Sequence, residues 1–516
     1  MTATLPTGVL DRSRQAIGDR ALRLRADPWT AVVLGGALVA AVVVRLVNLN
    51  AVGLNSDEAV YAGQAAAIDA DPRLAPFFPT FRAHPLLFQA LLSLPYRLGT
   101  SDYVGRLLSA AIGIATIVVT YKLGRRLYGP RVGAVAAAVL ALMPYHVVVS
   151  RQILLDGPMA LASTAALTCL AWFDRTRQPR WILMASAALG LAVLTKETSI
   201  VLVVSAYVYL GLIGAQRRAW AAAGAGLVVI LGLAALHPLV LYVAGHPSTG
   251  ASYLAWQLFR PSNHTAWFYV RTVPPAMGLL VVAAAAAALV HRSGRSSREV
   301  LLASWIAVPT VFFTVWPVKG FQYLVPVAPA VAVLAAAALL RLPLPRVPLL
   351  WDSRVRLGLA GLIAVSLLVP TVLRISAPSA TSLAGSGGLP GGRETGRWVA
   401  ANVPDGARLV TIGPSMTNVI EFYGNRESRA LSVSTNPLHR NPVYEPIVNP
   451  DLALRSFDYQ YVVWDAFSAK RSPHFAKVTL ALVAKYHGRV VHVETLHGSG
   501  GSGGGTPIVV VYQVHP

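Results

Sequence analysis

The chain has 516 residues, of which 55% are hydrophobic and only 13% are charged, and its mean hydropathy is +0.55. Soluble globular domains carry about a quarter charged residues, so the composition excludes an ordinary soluble protein. The formal net charge of +22 is concentrated in short loops between apolar blocks, where the positive-inside rule accounts for it. We therefore predict a membrane protein with no nucleic-acid partner. The single cysteine, Cys169, excludes an intramolecular disulfide and a CxxC metal site.

The N-terminal segment 1–27 is polar and Arg-rich and lacks a signal-peptide pattern, so it is expected to be a cytoplasmic tail. Residues 28–375 contain apolar blocks long enough to cross a bilayer as helices. Alternation of basic and charge-poor loops predicts about 11 transmembrane helices, with the C-terminal segment outside. The predicted spans are residues 28–47, 104–121, 132–149, 157–173, 181–195, 198–215, 219–243, 273–290, 300–317, 322–340 and 355–375.

The loops predicted to face outward are poor in charge, and the first of them, residues 48–103, is long enough to be functional. Within it, Pro85 favours a short interfacial helix over 86–94. Residues 376–392 have the composition of a linker. Beyond them, 393–516 alternates short helical and strand patterns, which predicts an extracytoplasmic α/β domain, with strands at 408–412, 431–434, 461–464, 490–495 and 507–513.

Two adjacent carboxylates, Asp57 and Glu58, follow the first span and precede helix-forming residues. They are either solvated loop charges or a functional pair, in which one acts as a general base or metal ligand in a cavity between helices. A position near a helix N-terminus favours an ionised Asp57.

Several motifs on the predicted outer face together resemble the GT-C glycosyltransferases, in particular the protein O-mannosyltransferase-like group (glycosyltransferase family 39-type) and the related transferase that attaches aminoarabinose to lipid A. The resemblance covers most of residues 46–330. The motifs are DEAVYA from Asp57, Arg82–Leu86, Gly105-Arg106, Arg151-Gln152 with Leu155–Pro158, Gly190–Glu197, and Lys319 with Tyr323, Leu324, Pro326 and Pro329.

The resemblance implies a mainly α-helical GT-C membrane fold, a lipid-phosphate sugar donor, inverting displacement, and Asp57 as catalytic base, with Glu58 beside it. Composition typical of a GC-rich bacterial genome favours polyprenyl phosphate as the carrier. The leaving phosphate needs cations, and the outer loops supply a few basic residues for this role. The predicted phosphate-binding residues are Lys319, Arg151, Lys196 and Arg82, with Lys319 the strongest candidate; each is alternatively an interfacial snorkelling residue.

The remaining predicted site residues line the cavity or bind the acceptor, and they are Asp156, Tyr61, His84, His146 and Tyr323. Asp156 is alternatively the N-cap of the fourth span, and Lys196 with Glu197 is interpreted as a salt-bridged cavity lining. No cofactor is required, although a divalent cation shared by Glu58 and Asp156 is a possible addition.

The predicted function is transfer of a hexose or pentose to an envelope glycan, lipid or protein at the outer face of the cell (inner) membrane. The alternative is a polytopic lipid or glycan transporter, or flippase, without transferase chemistry. Many transporters have inverted repeats, with paired Gly/Pro-broken spans in two corresponding halves. This sequence shows neither feature, so it does not support that alternative.

Overall fold

The structure is a computed structural model, and it describes residues 27–79, 84–245, 250–292, 296–341, 349–376, 388–496 and 505–515. Up to residue 376 these are mainly helical. The helices are α1 (Pro28–Leu46), α2 (Ser56–Ile68), α3 (Leu87–Tyr96), α4 (Asp102–Tyr128), α5 (Pro130–Leu142), α6 (Pro144–Ser150), α7 (Asp156–Thr176), α8 (Arg180–Thr195), α9 (Ile200–Leu212), α10 (Arg217–Val243), α11 (Gly250–Phe259), α12 (Phe268–Met277), α13 (Leu279–Arg292), α14 (Ser297–Val315), α15 (Ala328–Arg341) and α16 (Leu349–Ser376). Short 3-10 helices cover Glu197–Ser199 and Phe321–Val327.

The turn between α4 and α5 shows how local sequence places these helices. Gly129 has a φ of 103°, a conformation that favours glycine, and Pro130 then starts α5 at a position where its missing N–H costs nothing. The two helices pack closely, since a Cβ added at Gly124 would lie 2.8 Å from the Cα of Gly133. Small residues thus allow an antiparallel pair of helices to approach backbone to backbone.

Each of the predicted spans coincides with helix, but not all of the helices are long and apolar enough to cross a membrane. Six helices of the described chain meet that requirement, or up to eight if two bent pairs each count as one span. The bends are 63° between α5 and α6 and 99° between α12 and α13. The helices at the remaining three predicted spans, α7, α8 and α9, are not among these candidates. The expected count of 11 is therefore not reached on length and hydropathy.

The C-terminal segment forms a unit of helices around one sheet. Its helices are α17 (Gly392–Asn402), α18 (Pro414–Gly424), α19 (Pro450–Arg455), α20 (Ala466–Arg471) and α21 (Pro473–Lys485), and a 3-10 turn covers Pro437–His439. Its strands are β1 (Leu409–Thr411), β2 (Ser428–Ala430), β3 (Tyr461–Asp465), β4 (Arg489–Leu496) and β5 (Thr506–Gln513). The strand order is β2-β1-β3-β5-β4. The first three strands are parallel and β5 and β4 are antiparallel additions.

Two features of this unit differ from the sequence prediction. The strand expected at 431–434 lies earlier, at Ser428–Ala430, and the helix α20 was not predicted. The earlier strand is the one that pairs in register with β1, as Leu409 faces Ser428. Most of the predicted linker, at 377–387, lies outside the described residues, and so do residues 497–504 between β4 and β5.

The C-terminal unit is anchored to the loop between α1 and α2 and to the start of α4 by buried polar contacts. Arg393 and Asp102 form an ion pair of 2.9 Å in which both side chains are less than 10% exposed. The Tyr423 hydroxyl donates to Asp102 over 2.8 Å and accepts from the backbone N–H of Leu54 over 3.0 Å. Arg393 also donates to the Asn50 carbonyl over 3.0 Å. The unit is therefore fixed directly above the segment that carries Asp57.

We predict that Asp102→Ala lowers the free energy of unfolding by about 3 kcal/mol, because Arg393 loses its buried counter-ion. Thermal unfolding of the full chain in detergent measures the change. Glu445→Ala is the control, since its ion pair with Arg429 leaves Glu445 74% exposed and should contribute no more than about 1 kcal/mol. Equal losses in the two variants would show that the Arg393–Asp102 pair does not hold the unit in place.

Candidate active site

The first turn of α2 is held by a capping box. The Asn55 side chain accepts from the backbone N–H of Glu58 over 3.0 Å, and the Glu58 carboxylate accepts from the backbone N–H of Asn55 over 3.1 Å. The reciprocal bonds satisfy two of the N–H groups that every helix start leaves without partners. Asp57 therefore sits in the first turn of a well-capped helix, where the helix dipole favours a negative charge.

Glu58 is fully buried and its carboxylate is completely engaged. Arg106 of α4 binds it in a bidentate manner, with Nε 2.9 Å from Oε1 and Nη2 2.8 Å from Oε2. The backbone N–H of Ile153 donates to the same carboxylate over 3.1 Å. Arg106 further donates to carbonyls of the loop before α2, at Leu49, Val52 and Gly53. We therefore expect Glu58 to position its neighbour rather than to contact the substrate.

Asp57 points the other way, into a cavity of about 90 Å³ between α2, α11 and the C-terminal unit. Its side chain is exposed to this cavity, and among the described residues the carboxylate has no hydrogen-bond partner. Although the cavity exposes this side chain, the protein around it desolvates the carboxylate and raises the pKa of Asp57, while Lys196 and His84 oppose the rise. The lining consists of Asp57, Val60, Tyr61, Gln64, His84, Tyr253, Asn441, Val443 and Tyr444.

His84 links the cavity wall to the turn after α8. Its Nδ1 lies 2.9 Å from Glu197 Oε2, and its Nε2 lies 3.3 Å from the Tyr253 hydroxyl. Its ring also meets the edges of Tyr61 and Tyr253 at centroid distances of 6.1 and 5.1 Å. The predicted cavity residues Tyr61 and His84 thus lie beside Asp57, and Glu197 holds the imidazole in place.

Asp156 and Lys196 form a buried ion pair next to this wall. Lys196 Nζ lies 2.8 and 2.9 Å from the two carboxylate oxygens and 4.6 Å from the centre of the Tyr323 ring. Two predictions are corrected here. Asp156 is the first residue of α7 and makes no cap, since Leu155 holds the N-cap position. Lys196 pairs with Asp156 rather than with its neighbour Glu197.

Lys319 is a buried cation in the loop before the tenth predicted span. Its Nζ donates to the Trp316 carbonyl over 2.8 Å. Asn263 fixes its backbone from both sides, accepting from the N–H over 2.8 Å and donating to the carbonyl over 3.0 Å. In the part of the chain that the structure describes, Lys319 has no carboxylate partner. A rigid loop therefore carries a positive charge that no acidic side chain neutralises.

Two further basic residues lie near these groups, and one of them comes from the C-terminal unit. Arg471, the last residue of α20, is close enough to act electrostatically on Asp57, Arg260 and His264. Arg260 stacks on Trp256 at 4.5 Å, and His264 is also influenced by Lys319. We call Lys319, Arg260 and Arg471 together the cationic flank of the site, and of these three residues Arg471 is the one that acts on the carboxylate of Asp57.

Arg151 and His146 belong to a different cluster, around the buried Arg45 of α1. Arg151 donates to the Val44 carbonyl over 2.7 Å, and Arg45 Nη2 lies 2.8 Å from His146 Nδ1. Arg45 also donates to Ser150 Oγ over 2.9 Å. The structure therefore does not bring these two predicted site residues to the Asp57 cavity. Arg82 lies outside the described residues.

From the sequence, Asn436, Arg440 and Tyr444 offer either an acceptor-binding surface or turn and core positions of an α/β domain, and the second interpretation is favoured. The structure places Tyr444 in the cavity lining together with Asn441 and Val443, which sequence reasoning did not identify. Arg471 is an exposed residue among many basic residues, so no sequence signal distinguishes it. Among the described residues, no group of three or more His, Cys, Asp or Glu side chains is arranged to hold a metal ion.

We predict that Glu58→Gln lowers the free energy of unfolding by about 3–5 kcal/mol, because Arg106 is left as a buried, uncompensated charge. The adjacent substitution Asp57→Asn is the matched control and should change it by no more than about 0.5 kcal/mol, since Asp57 makes no structural contact. Thermal unfolding of the two variants in detergent makes the comparison. If both are destabilised alike, the division of roles between the two carboxylates is wrong.

Comparisons with known proteins show which folds this chain resembles. A family model described as dolichyl-phosphate-mannose-protein mannosyltransferase matches residues 83–242, and no curated protein matches the chain significantly. The structure of ArnT from Cupriavidus metallidurans in the apo state superposes with a TM-score of 0.70 at 18% identity, covering 94% of this chain and 97% of that one. The same protein bound to undecaprenyl phosphate gives 0.68 at 17%, covering 94% and 98%.

A more distant similarity extends to an archaeal enzyme. The oligosaccharyltransferase AglB from Archaeoglobus fulgidus, in complex with an inhibitory peptide and a dolichol-phosphate, gives a TM-score of 0.58 at 17% identity, covering 90% of this chain and 72% of that one. The resemblance inferred from the sequence motifs is thereby confirmed, and the chain has the fold of the GT-C glycosyltransferases.

Proposed function

We propose that this protein is an inverting glycosyltransferase of the cell membrane, which moves a sugar from a polyprenyl-phosphate donor to a hydroxyl of an envelope glycan, lipid or protein. The reaction takes place on the extracytoplasmic face, in the cavity of Asp57. The observation that carries the proposal is the carboxylate of Asp57, which faces a cavity without a hydrogen-bond partner among the described residues, while Arg471 of the cationic flank acts on it. A base and an anion site side by side are what transfer from a phosphate carrier requires.

The proposed reaction is a single displacement at the anomeric carbon. The acceptor oxygen forms a bond to that carbon as the bond from the carbon to the phosphate oxygen breaks, and the configuration inverts. Asp57 takes the proton of the acceptor hydroxyl, and the electron pair of the broken bond leaves on polyprenyl phosphate. The raised pKa of Asp57 makes it a stronger base than an ordinary carboxylate, which suits proton abstraction near neutral pH.

The leaving phosphate is proposed to lie against Lys319, with Arg260 and Arg471 beside it. Its negative charge increases as the bond breaks, so fixed cations stabilise the transition state more than the bound donor. Lys196 is neutralised by Asp156, and we assign it a supporting role in the wall rather than direct phosphate binding. The ArnT structure bound to undecaprenyl phosphate supports a polyprenyl carrier.

The acceptor is proposed to enter beside the C-terminal unit. Asn441, Val443 and Tyr444 form the part of the cavity lining that this unit contributes, opposite Tyr61 and His84. Asn418 holds this segment in position next to α2, because its side-chain amide donates both to Ser56 Oγ and to the Tyr444 hydroxyl, each over 2.9 Å. The unit thereby places polar groups next to the base, where a hydroxyl-bearing acceptor needs to be oriented.

We predict that Asp57→Asn reduces transfer by about 100- to 10,000-fold, the usual contribution of a general base, while binding of polyprenyl phosphate is retained. The assay uses purified protein in detergent, a panel of undecaprenyl-phosphate-linked hexoses and pentoses labelled in the sugar, and an envelope extract as acceptor. Detergent solution abolishes membrane compartments, so product formation scores transfer and not transport.

The wild-type protein supplies a second readout in the same assay. Because the pKa of Asp57 is raised, the ionised base is lost as the pH falls through a value above the ordinary aspartate pKa of about 3.9, and the acid limb of the rate profile should lie there. Unchanged transfer by Asp57→Asn, or an acid limb that persists in this variant's residual activity, contradicts the role of Asp57 as base.

We predict that Lys319→Ala weakens binding of undecaprenyl phosphate by roughly 10- to 100-fold, since a hydrogen bond to a charged group contributes about 1.5–3 kcal/mol. Titration of the purified protein with the lipid measures the affinity. Lys477→Ala removes an exposed lysine of α21 and should leave the affinity unchanged. An unaltered affinity in a Lys319→Ala variant that unfolds at the wild-type temperature would show that the phosphate lies elsewhere.

A further inference from the structure

A second cavity, of about 520 Å³, lies at the ends of α4 and α7 and is lined mainly by arginine. Five guanidinium groups contribute to it against one carboxylate, that of Asp174. The arginines are Arg125, Arg126, Arg175, Arg298 and Arg341. The single acid is already engaged, since Asp174 accepts from the Tyr209 hydroxyl over 2.8 Å and lies 3.5 Å from Arg177. The pocket therefore has a strong excess of positive charge.

This pocket is at the other end of the helix bundle from the Asp57 cavity. The 27-residue α4 carries Arg106, the partner of Glu58, near its start and Arg125 at its end, and a helix of that length spans about 40 Å. The 21-residue α7 likewise begins at Asp156 and reaches the pocket after about 30 Å. Since about 30 Å is the thickness of the hydrocarbon core, the two sites face opposite sides of the membrane.

Four of the basic loops that predict the topology converge here. Loops 122–131, 174–180, 291–299 and 341–356 each supply at least one lining residue. The positive-inside rule explains why such loops are basic, but it requires no spatial arrangement among them. The tertiary structure brings these four loops together at one cavity. Their orientation in the membrane does not by itself explain this arrangement.

Two of the arginine side chains, Arg126 and Arg298, are only partly exposed and are held in place by contacts. Arg126 lies 3.7 Å above the Trp172 ring, which stacks in turn on Trp181 at 5.0 Å. The Nε of Arg126 is buried and has no hydrogen-bond partner within the described ranges. Arg298 donates to the Leu127 carbonyl over 2.9 Å. Fixed like charges repel one another, and a bound anion relieves that repulsion.

We propose that this pocket binds the phosphate of an anionic glycerophospholipid from the leaflet opposite the active site. Guanidinium groups bind phosphate oxygens in a bidentate manner, and basic pockets between membrane helices hold anionic head groups. The aromatic groups Trp172 and Trp181 beside the arginines have the composition of a membrane–water interface. The head group would join the ends of α4, α7, α14 and α15, and so stabilise the helix bundle.

The test compares lipid binding by two double variants of the full-length protein. Arg126→Gln with Arg175→Gln removes two pocket charges, whereas Arg217→Gln with Arg218→Gln removes two exposed charges from the start of α10, outside the pocket. Native mass spectrometry measures binding of phosphatidylglycerol and cardiolipin, with phosphatidylcholine as the neutral reference. We expect at least a tenfold loss of anionic-lipid binding in the pocket variant and less than a twofold loss in the control.

Two further measurements separate the pocket from simpler explanations. Arg175→Gln alone changes an exposed side chain, so a loss of binding at a wild-type unfolding temperature supports the proposal independently of any folding defect at Arg126. Equal losses in both double variants would indicate general surface attraction and overturn it. Inorganic phosphate at millimolar concentration is then added as a competitor. If it displaces bound lipid as effectively as unlabelled lipid does, the pocket is a site for a free anion and the lipid assignment is overturned.

Discussion

The buried ion pair between Glu58 and Arg106 is the constraint on which the candidate active site depends. Two charges taken out of water cost free energy unless the geometry is good and the remaining hydrogen-bonding groups are satisfied. Both conditions hold here, because Arg106 also binds three loop carbonyls and Glu58 also caps α2. One pair thereby joins α4, the first outer loop and the start of α2, and it fixes the direction in which Asp57 points.

The neighbouring carboxylates Asp57 and Glu58 consequently lie in different environments, although both belong to the first turn of α2. Residues adjacent in a helix face directions about 100° apart, so burying Glu58 against α4 turns Asp57 toward the cavity. There the carboxylate has no hydrogen-bond partner among the described residues. This charge destabilises the folded state little, because the cavity is open to the side chain. Desolvation by the surrounding protein outweighs the effect of Lys196 and His84, so the pKa of this carboxylate is raised.

The C-terminal unit completes this arrangement instead of standing apart from it. Arg393 and Tyr423 meet at Asp102, one turn before Arg106, so the anchor of the unit and the anchor of Glu58 share the start of α4. The segment around Tyr444 then lines one side of the cavity, and Arg471 of the same unit belongs to the cationic flank. Asp57 and Tyr444, which line the same cavity, thus come from positions of the chain that are almost 400 residues apart.

The sequence by itself determined membrane residence, the positions of the apolar helices, the α/β character of the C-terminal segment and the GT-C resemblance, because hydropathy, charge alternation and local motifs are properties of short stretches. It also singled out Asp57, His84, Tyr61 and Lys319. Only the tertiary structure decided the interaction partners of the charged side chains. Lys196 pairs with Asp156, Glu197 pairs with His84, and Arg151 donates a hydrogen bond to the end of α1. Ion-pair partners and cavity walls depend on contacts between distant segments, and no local pattern records those.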